Sequence, residues 1–300
     1  MSANHPSPVI ALDAGGTHIK AGIFLNGQIT DESTFDTERD QGPDHAVQQI
    51  LSAAETMHKR HPHSSAVGLV VPGVVDALNG IAVYSENILW HDVNFVKLLH
   101  DRTGLNAVLN HDVRAGGLAE AHYGSGVGVK DFFFMALGTG IAGAIYANGE
   151  LYENRFAGEI GHLNVNSGYE CACGLTGCLE SNATSPSIAR IYREFSGEKV
   201  AGAKEVIAKF QAGDECAIAA WNIAVDAIAL ALGAYTTIMA PSLIILGGGV
   251  SHAGDLLRIP VQEKLSTLLT FHPVPKILIT NLGANAGMIG AGVLASRTFP

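Results

Sequence analysis

One pattern of apolar runs and turn residues occurs twice in this chain, and the repetition restricts the folds that it can adopt. In each copy an apolar run ends in a glycine-rich loop, a second apolar run follows, and an Asn-Gly pair leads into a third run. Asn-Gly between apolar runs predicts a β-hairpin, because a type I′ turn needs positive φ at both central residues. The copies begin at residues 9 and 132, so the sequence predicts an internal duplication.

Strand and helix patterns alternate after each of the two hairpins. Short buried apolar runs are separated by longer stretches with helical periodicity, which is typical of α/β layers with largely parallel sheets. In such sheets ligands bind beyond the strand ends, where the loops gather. Five residues stand at predicted strand ends and are candidates for ligand contact: Asp13, Gly73, Asp112, Gly138 and Gly247.

The composition indicates a large buried core and argues against several classes of partner. Of the 300 residues, 47% are hydrophobic and 15% charged, and the length suits two ordinary domains or one large one. The net charge of −10 argues against a nucleic-acid-binding surface and against attraction to anionic membranes. Residues 1–8 show no apolar signal segment, and the Ala-rich run 223–240 contains Asp226, which predicts a core helix. We therefore expect a cytoplasmic protein.

Residues 158–180 contain three of the four cysteines, Cys171, Cys173 and Cys178, together with His162. A Cys₃His set suits tetrahedral zinc and leaves no position for a water nucleophile, so such a site is structural. A disulfide between Cys171 and Cys173 would be strained, because a single residue separates them. Free buried thiols remain the alternative to zinc.

The glycines at 138, 140 and 143 match the GxGxxG dinucleotide fingerprint. That fingerprint requires a helix directly after the glycines, whereas residues 144–152 carry a hairpin signal. The sequence also lacks the GxxxxGK[ST] pattern of P-loop enzymes. Neither a Rossmann dehydrogenase nor a P-loop enzyme is therefore expected.

The remaining glycine hairpins suit phosphoryl transfer, because each can turn successive N–H groups towards phosphate oxygens. Asp13 follows the first strand and can hold Mg²⁺ through its hydration shell, while Asp112 can accept a proton from a substrate hydroxyl. A phosphate ligand would have to be held by backbone and metal, since cations are few. The alternatives are a turn-capping Asp13 and an N-capping Asp112 ahead of a helix at residues 114–123.

Several hydrogen-bonding side chains beside glycine-rich backbone suggest a polyol acceptor: Asp112, Asn87, Glu159 and Glu180. A zinc ion at the cysteines would fix where Glu159 and Glu180 point. One ring nitrogen of His162 would bind zinc while the other donates to the sugar, the alternative being zinc ligation alone.

Together these motifs resemble the ROK family of bacterial sugar kinases, repressors and uncharacterised relatives, and the resemblance covers essentially the whole chain. Three segments resemble its nucleotide motifs, and another matches its signature and zinc motif, which is highly specific. They are residues 13–17 with Gly22 (first phosphate motif), 137–143 (second phosphate motif), 246–250 (adenosine segment), and 158–162 with 171–180 (signature and zinc motif).

The resemblance implies the actin-like ATPase (ribonuclease H-like) fold, an α/β fold with two similar domains around a central cleft, usually as a homodimer. It assigns residues 1–110 to an N-terminal domain with the first phosphate loop and part of the sugar site. It assigns residues 111–284 to a C-terminal domain with the second phosphate loop, the zinc loop and the adenosine segment. A helix at residues 285–300 is expected to pack back on the first domain. Mg²⁺ with ATP and a structural Zn²⁺ are the implied cofactors.

The resemblance also carries residue roles, position by position. Asp112 is the expected catalytic base acting on the sugar 6-hydroxyl. The family usually has Asn before this base, whereas this chain has His111, which changes the hydrogen bonds offered to a sugar. The expected sugar contacts are Gly73, Asn87, His111, Asp112, Glu159, His162 and Glu180, the expected nucleotide contacts are Asp13, Gly15, Gly16, Thr17, Lys20, Gly138, Thr139, Gly140, Gly247, Gly248 and Gly249, and the expected zinc ligands are His162, Cys171, Cys173 and Cys178.

The leading hypothesis is an ATP-dependent hexose kinase, most like a glucokinase. A kinase for N-acetylmannosamine, N-acetylglucosamine, fructose or allose, or one using polyphosphate as donor, stays open, because epimers differ by one or two hydrogen bonds. A sugar-sensing regulator of the same family is the third hypothesis. Such regulators carry a winged-helix segment before the first phosphate motif. Only 12 residues precede Asp13 here, so we expect no DNA binding.

Overall fold

A computed structural model describes residues 7–300 and contains two compact units. The first unit consists of the chain up to Gly124, together with Leu151–Ala157 and Ala284–Pro300. The second consists of Ser125–Glu150 and Gly158–Gly283. Residues 112–123, which lie beyond the predicted boundary at residue 110, group with the first unit.

The helices and strands follow the alternation expected from the sequence. The strands are β1 (Val9–Ala14), β2 (His18–Leu25), β3 (Gln28–Asp36), β4 (Ala66–Val71), β5 (Val74–Asp76), β6 (Ile81–Tyr84), β7 (His91–Asn94), β8 (Asn106–His111), β9 (Phe132–Leu137), β10 (Ile141–Ala147), β11 (Glu150–Leu151), β12 (Leu243–Gly247) and β13 (Lys276–Ile279). The helices are α1 (Pro43–Arg60), α2 (Phe95–Thr103), α3 (Asp112–Tyr123), α4 (Glu180–Ala183), α5 (Ser185–Ser196), α6 (Ala203–Gln211), α7 (Glu215–Met239), α8 (Asp255–Leu268) and α9 (Ala286–Thr298).

The predicted duplication is confirmed by the topology of the two large sheets. Their strand orders are β3-β2-β1-β4-β8 and β11-β10-β9-β12-β13, so corresponding strands occupy corresponding places. The Asn-Gly pairs form the predicted turns, with φ of 50° and 83° at Asn26 and Gly27 and of 56° and 85° at Asn148 and Gly149. The prediction of largely parallel sheets is wrong. Each hairpin supplies an antiparallel half, and the other half of each sheet is parallel, through β1-β4-β8 in one sheet and β9-β12-β13 in the other.

A small antiparallel sheet, β5-β6-β7, was not predicted. Its strands have only three or four residues, too few to show a clear alternation of apolar and polar side chains. The sheet lies between β4 and α2 in the chain, and the loop between β6 and β7 carries Asn87.

The first unit packs helices on both faces of its large sheet. Ile10, Leu12 and Leu69 point to one face, where they join a buried cluster with α1. α9 packs on β1, β2 and β4, and α3 packs on α9. Gly68 of β4 permits this close approach, because a Cβ there would overlap the main-chain oxygen of Ala291 in α9.

The second unit is built around α7, as the apolar run in the sequence predicted. This helix is long and apolar enough to cross a membrane, but 61% of its most apolar window is buried inside the structure. It packs against α5, α6 and α8, and the ring of Tyr235 stacks on Phe133 of β9 at 4.0 Å between centroids. α8 is helical across Pro260. These contacts make α7 the core helix of its unit.

Candidate functional site

Two carboxylates of the first unit lie at strand ends within electrostatic reach of each other. Asp13 stands near the end of β1, and Asp112 begins α3 directly after β8. Burial raises the pKa of Asp13 to about 7; the charge of Asp112 adds to the rise, and Lys20 opposes it. The structure thus brings together two carboxyl groups that the sequence analysis chose separately.

The Asp112 carboxyl lies in a buried environment but can still be reached by a ligand. Burial raises the pKa of Asp112 to about 6, against the Val113 N–H and the charge of Arg114, which lower it. Its side chain nevertheless keeps 34% of its surface accessible, so a ligand can reach the carboxyl. A carboxylate with such a pKa is ionised at neutral pH and is more basic than an ordinary aspartate. These are the properties that a general base needs.

His111 caps the helix that Asp112 begins. Its Nδ1 accepts the Val113 N–H at 3.2 Å, and Asp112 Oδ1 accepts the same N–H at 2.7 Å. The same Nδ1 also lies 3.2 Å from Asp112 Oδ1, so the imidazole and the carboxyl are neighbours at the start of the helix. The alternative of Asp112 as N-cap is therefore wrong: the cap is His111, and Asp112 is the first helical residue.

A buried polar network fixes this turn from behind. Asn110 Nδ2 donates to Glu153 Oε1 at 2.7 Å, and Asn110 Oδ1 accepts from the His111 N–H and from Arg114 Nε. Arg114, which is 2% exposed, also donates to the main-chain oxygen of Asn154 at 2.8 Å. Buried polar groups with satisfied hydrogen bonds rigidify the backbone that they hold. These hydrogen bonds therefore hold the backbone on both sides of Asp112 in place.

The first glycine loop is tied to β3 by one buried threonine. The Thr37 N–H donates to the main-chain oxygen of Thr17 at 2.9 Å, and Thr37 Oγ1 donates to that of Gly15 at 2.7 Å. The Gly15 N–H donates to the main-chain oxygen of His18. These bonds fix the loop that contains the predicted phosphate contacts Gly15, Gly16 and Thr17.

The start of α9 lies against Asp13. Lys20 Nζ donates to the main-chain oxygen of Ala284 at 2.9 Å, just before the helix. Gly287 is so close to Asp13 that a Cβ there would overlap Oδ2. Helix α9 therefore helps to position the carboxylate that the sequence assigned to Mg²⁺.

Gly73 and Asn87, the other predicted sugar contacts of the first unit, flank β5 and β6. Gly73 has φ of +100°, and a Cβ there would overlap the main-chain oxygen of Tyr84, so only glycine fits. Asn87 is exposed, and its main-chain oxygen accepts a hydrogen bond from Arg39 Nη1 at 3.4 Å. Arg39 was not identified from the sequence, whose composition had indicated that a phosphate would be held by backbone and metal because cations are few.

In the second unit, Glu180 holds the second glycine loop. Glu180 is the first residue of α4, and its Oε1 accepts the N–H of Ile141 at 2.6 Å. Ile141 directly follows the loop. The Gly138 N–H donates to the main-chain oxygen of Gly140, and the Ser185 N–H donates to that of Gly138. A residue predicted to contact sugar thus also fixes the loop predicted to contact phosphate.

The segment with Glu159 packs on that same loop. A Cβ on Gly161 would overlap the main-chain oxygen of Ile141 and lie 2.7 Å from Glu180 Cγ. Glu159 itself is exposed at the start of the 3₁₀ turn Ile160–His162. Because the backbone is held this closely, Glu159 and Glu180 have fixed relative positions within the second unit.

The four predicted zinc ligands converge. One donor atom from each of His162, Cys171, Cys173 and Cys178 lies within 4.8 Å of the others. The Cys173 and Cys178 sulfurs are 3.6 Å apart, and His162 Nδ1 lies 3.8 Å from the Cys171 sulfur. Tetrahedral zinc with bonds of about 2.3 Å requires sulfurs about 3.8 Å apart. The donor set therefore fits a zinc ion.

Cys178 is the buried member of the cluster. Burial raises the pKa of the Cys178 thiol to about 12, and the neighbouring thiols add to the rise. Such a thiol ionises at neutral pH only when a metal ion compensates its charge. The fourth cysteine, Cys216, lies on α7 outside the cluster.

The GxGxxG match has a packing explanation. The strand β10 follows Gly140, so the helix that a dinucleotide site needs is absent, as predicted. Gly143 lies within that strand, and a Cβ there would overlap the ring of Phe133. Gly248, at φ of +79°, similarly approaches the backbone of Leu137 after β12.

Comparison with known proteins supports this picture. The model of the ROK family matches residues 9–298. A glucokinase of Thermotoga maritima is 33% identical over 305 residues, covering 94% of this chain and 95% of that protein. A ROK hexokinase from Thermus thermophilus superposes with a TM-score of 0.85 at 30% identity, covering 97% of this chain and 98% of the other.

A second solved structure is a ROK family glucokinase from Streptomyces griseus in complex with glucose and AMPPNP. It has a TM-score of 0.85 at 27% identity and covers 97% of this chain and 99% of the other. The actin-like ATPase fold expected from the sequence is therefore confirmed.

Proposed function

This chain belongs to the ROK family, and we propose that it is an ATP-dependent hexose kinase that phosphorylates the 6-hydroxyl of a hexose, with glucose as the preferred acceptor. The observation that carries the proposal is the accessible Asp112 carboxyl, with its pKa raised by burial, beside Asp13 and the first glycine loop. Relatives across almost the whole chain are glucokinases, including one that binds glucose and an ATP analogue.

In the proposed reaction the sugar O6 attacks the γ-phosphorus of ATP. The O6–Pγ bond forms, the bond from Pγ to the β,γ-bridging oxygen breaks, and its electron pair leaves with ADP. Asp112 takes the proton of the 6-hydroxyl and later releases it to solvent. Mg²⁺, when bound with ATP, neutralises charge on the phosphate oxygens, and Asp13 would hold it through its water ligands.

The residue roles remain proposals. In the first unit, Gly73, Asn87 and His111 are proposed sugar contacts beside Asp112, and Gly15, Gly16, Thr17 and Lys20 are proposed nucleotide contacts. In the second unit, Glu159, His162 and Glu180 are proposed sugar contacts. The proposed nucleotide contacts there are Gly138, Thr139, Gly140, Gly247, Gly248 and Gly249.

We propose that Cys171, Cys173, Cys178 and His162 hold a structural zinc ion. His162 Nδ1 faces the sulfurs, which leaves Nε2 as the nitrogen that would donate to a sugar hydroxyl. The metal would supply no chemistry to the reaction; it would fix the segment that carries Glu159 and Glu180. A homodimer in the cytoplasm is the proposed form of the protein.

The acceptor is tested with a panel of sugars in a coupled ADP assay. Glucose should give the highest kcat/KM with Mg-ATP, and the product should be the 6-phosphate. His111 is the reason to include N-acetylglucosamine, N-acetylmannosamine, fructose and allose, because an imidazole offers a sugar other hydrogen bonds than the amide of an Asn would. Polyphosphate in place of ATP tests the donor. Absence of turnover with every acceptor and donor would contradict the proposal.

The pH dependence of catalysis should follow the two raised carboxyl pKa values. Both groups must be ionised to act, so protonation removes activity below pKa values of about 6 for Asp112 and about 7 for Asp13. At saturating Mg-ATP, kcat/KM for glucose should fall about tenfold per pH unit between the two pKa values and up to about a hundredfold per pH unit below both. A profile that stays flat from pH 8 to pH 5 would show that neither group acts in ionised form.

Gly287→Ala should impair the use of Mg-ATP. The added Cβ would displace the Asp13 carboxyl, and small displacements of catalytic groups cost about ten- to a hundredfold in rate. We expect kcat/KM for Mg-ATP to fall by this factor, while the affinity for glucose is retained. Gly233→Ala in α7 is the matched control, because its added Cβ would have only ordinary contacts from 3.6 Å outwards. Equal activity of the two variants would contradict the role of Asp13.

A further inference from the structure

Arg39 lies between two loops that the proposed function uses. Its Nη1 donates to the main-chain oxygen of Asn87 at 3.4 Å and lies 3.4 Å from the position of a Cβ on Gly16. Gly16 belongs to the first phosphate loop, and Asn87 belongs to the predicted sugar loop. The guanidinium is therefore at the point where the phosphate and sugar segments of the first unit meet.

The backbone before Arg39 is held in an unusual conformation. Glu38 has φ of 50°, a left-handed value that is uncommon for a non-glycine residue. Its Oε2 accepts hydrogen bonds from Gln41 Nε2 at 3.1 Å, His45 Nε2 at 2.6 Å and Gln49 Nε2 at 3.0 Å. Thr37 anchors the preceding residue to the phosphate loop. Strained conformations that are held this firmly cluster at ligand sites.

Arg39 lines a pocket together with Gly16, Thr17, Asp36, Glu38 and Asp40. Two of the three carboxylates already have partners, since Asp36 pairs with His18 and Glu38 accepts the bonds described above. Asp40 is fully exposed and contacts Arg39 Nε only at 3.9 Å. Solvent screens such a surface pair, so the positive charge of Arg39 is only weakly neutralised.

The guanidinium keeps hydrogen-bonding capacity for a ligand. It has five N–H donors, and within residues 7–300 Nη1 has one carbonyl partner and Nε has one distant carboxylate. Its side chain is 48% exposed, so a ligand can reach it. A planar guanidinium binds phosphate oxygens in pairs, which an ammonium group cannot do.

We propose that Arg39 contacts the phosphoryl group that passes from the nucleotide to the sugar, binding the terminal phosphate of ATP and then the phosphate ester of the product. The inference rests on the proposed function, and it assigns the Arg39 guanidinium as a cation of the proposed phosphate site. If the Arg39 guanidinium stays in contact with the phosphoryl oxygens during the transfer, it stabilises the transition state, whereas it adds nothing to the binding of the sugar alone.

The test compares Arg39→Gln and Arg39→Lys with Arg60→Gln as the matched control. Arg60 is an exposed arginine of the same unit whose Nη1 donates to Ser33 Oγ, so its replacement removes the same charge elsewhere. Steady-state kinetics give kcat/KM for Mg-ATP. Calorimetry gives the Kd of glucose and of glucose 6-phosphate, which needs no turnover.

We expect Arg39→Gln to lower kcat/KM for Mg-ATP by about a hundredfold and to weaken glucose 6-phosphate binding at least tenfold, a range typical of lost charge-assisted contacts. Glucose binding should stay within about twofold, and Arg39→Lys should recover part of the loss. Arg60→Gln should match the unmodified protein. If Arg39→Gln does not fold, Arg39→Lys tests the inference instead: it should bind glucose 6-phosphate more weakly than the unmodified protein while binding glucose equally well.

Product affinity and kcat/KM within twofold of the unmodified protein in the Arg39 variants would overturn the inference while leaving the kinase proposal intact. Equal losses of glucose and glucose 6-phosphate affinity would also overturn it, because they indicate a structural role. If the unmodified protein phosphorylates no sugar and binds no glucose 6-phosphate, the proposed function itself fails.

Discussion

Asp112→Asn should lower kcat about 10²–10⁴-fold while leaving glucose affinity within about twofold of the unmodified protein. The amide has almost the same shape and can still accept the Val113 N–H through its oxygen, so the start of α3 should be preserved. It cannot take the proton of the 6-hydroxyl, and the sugar oxygen then attacks as a poor nucleophile. Turnover is measured with the coupled assay and glucose binding by calorimetry.

Asp101→Asn serves as the control for this experiment. Asp101 is an exposed aspartate on α2 that pairs with Lys97 on the surface, so its replacement should leave kcat unchanged. The fold of both variants is compared by thermal unfolding. Near-native turnover of Asp112→Asn would refute the assignment of the base, and the family membership would then say nothing about which group accepts the proton.

Removal of the metal should weaken both stability and sugar affinity. The purified protein should contain about one zinc ion per chain, since the four donors fit one tetrahedral ion. A chelator should lower the midpoint of thermal unfolding and weaken glucose binding about ten- to a hundredfold, the range seen when groups that orient a ligand set are lost. Loss of the metal should loosen residues 158–180, which carry the proposed sugar contacts Glu159 and Glu180. Glu180 also holds the second glycine loop.

Cys178→Ser should reproduce the effect of the chelator, and Cys216→Ser is its control. Both change a cysteine to serine in the second unit, but Cys216 lies on α7 outside the cluster. Metal content is measured by mass spectrometry and glucose affinity by calorimetry. Unchanged glucose affinity in a protein shown to be free of metal would break the link between the cluster and sugar binding, even if the unfolding temperature falls.

Features that depend on neighbours in the chain could be predicted from the sequence. The Asn-Gly turns at residues 26 and 148 have the expected positive φ values because the turn chemistry is contained in two residues. The cysteine cluster lies within 17 residues, so its donors could be recognised together. The helix α7 was clear because its apolar, Ala-rich run is too long for a strand.

Features that depend on distant contacts could not be predicted. Arg39 reaches Asn87 across 48 positions of the chain, and no local pattern connects them. The Asn110–Glu153 bond and the close approach of Gly287 to Asp13 arise in the same way. The prediction of largely parallel sheets failed for another reason: the hairpins were recognised, but their antiparallel pairing was not carried into the sheet as a whole.

Helix α9 has a consequence for biosynthesis. It covers Gly68 and the adjoining strands of the first unit, yet it is made after the whole second unit. A nascent chain emerging from the ribosome would therefore hold β1, β2 and β4 with one face uncovered while residues 125–283 fold. Completion of the first unit must wait until α9 has been translated.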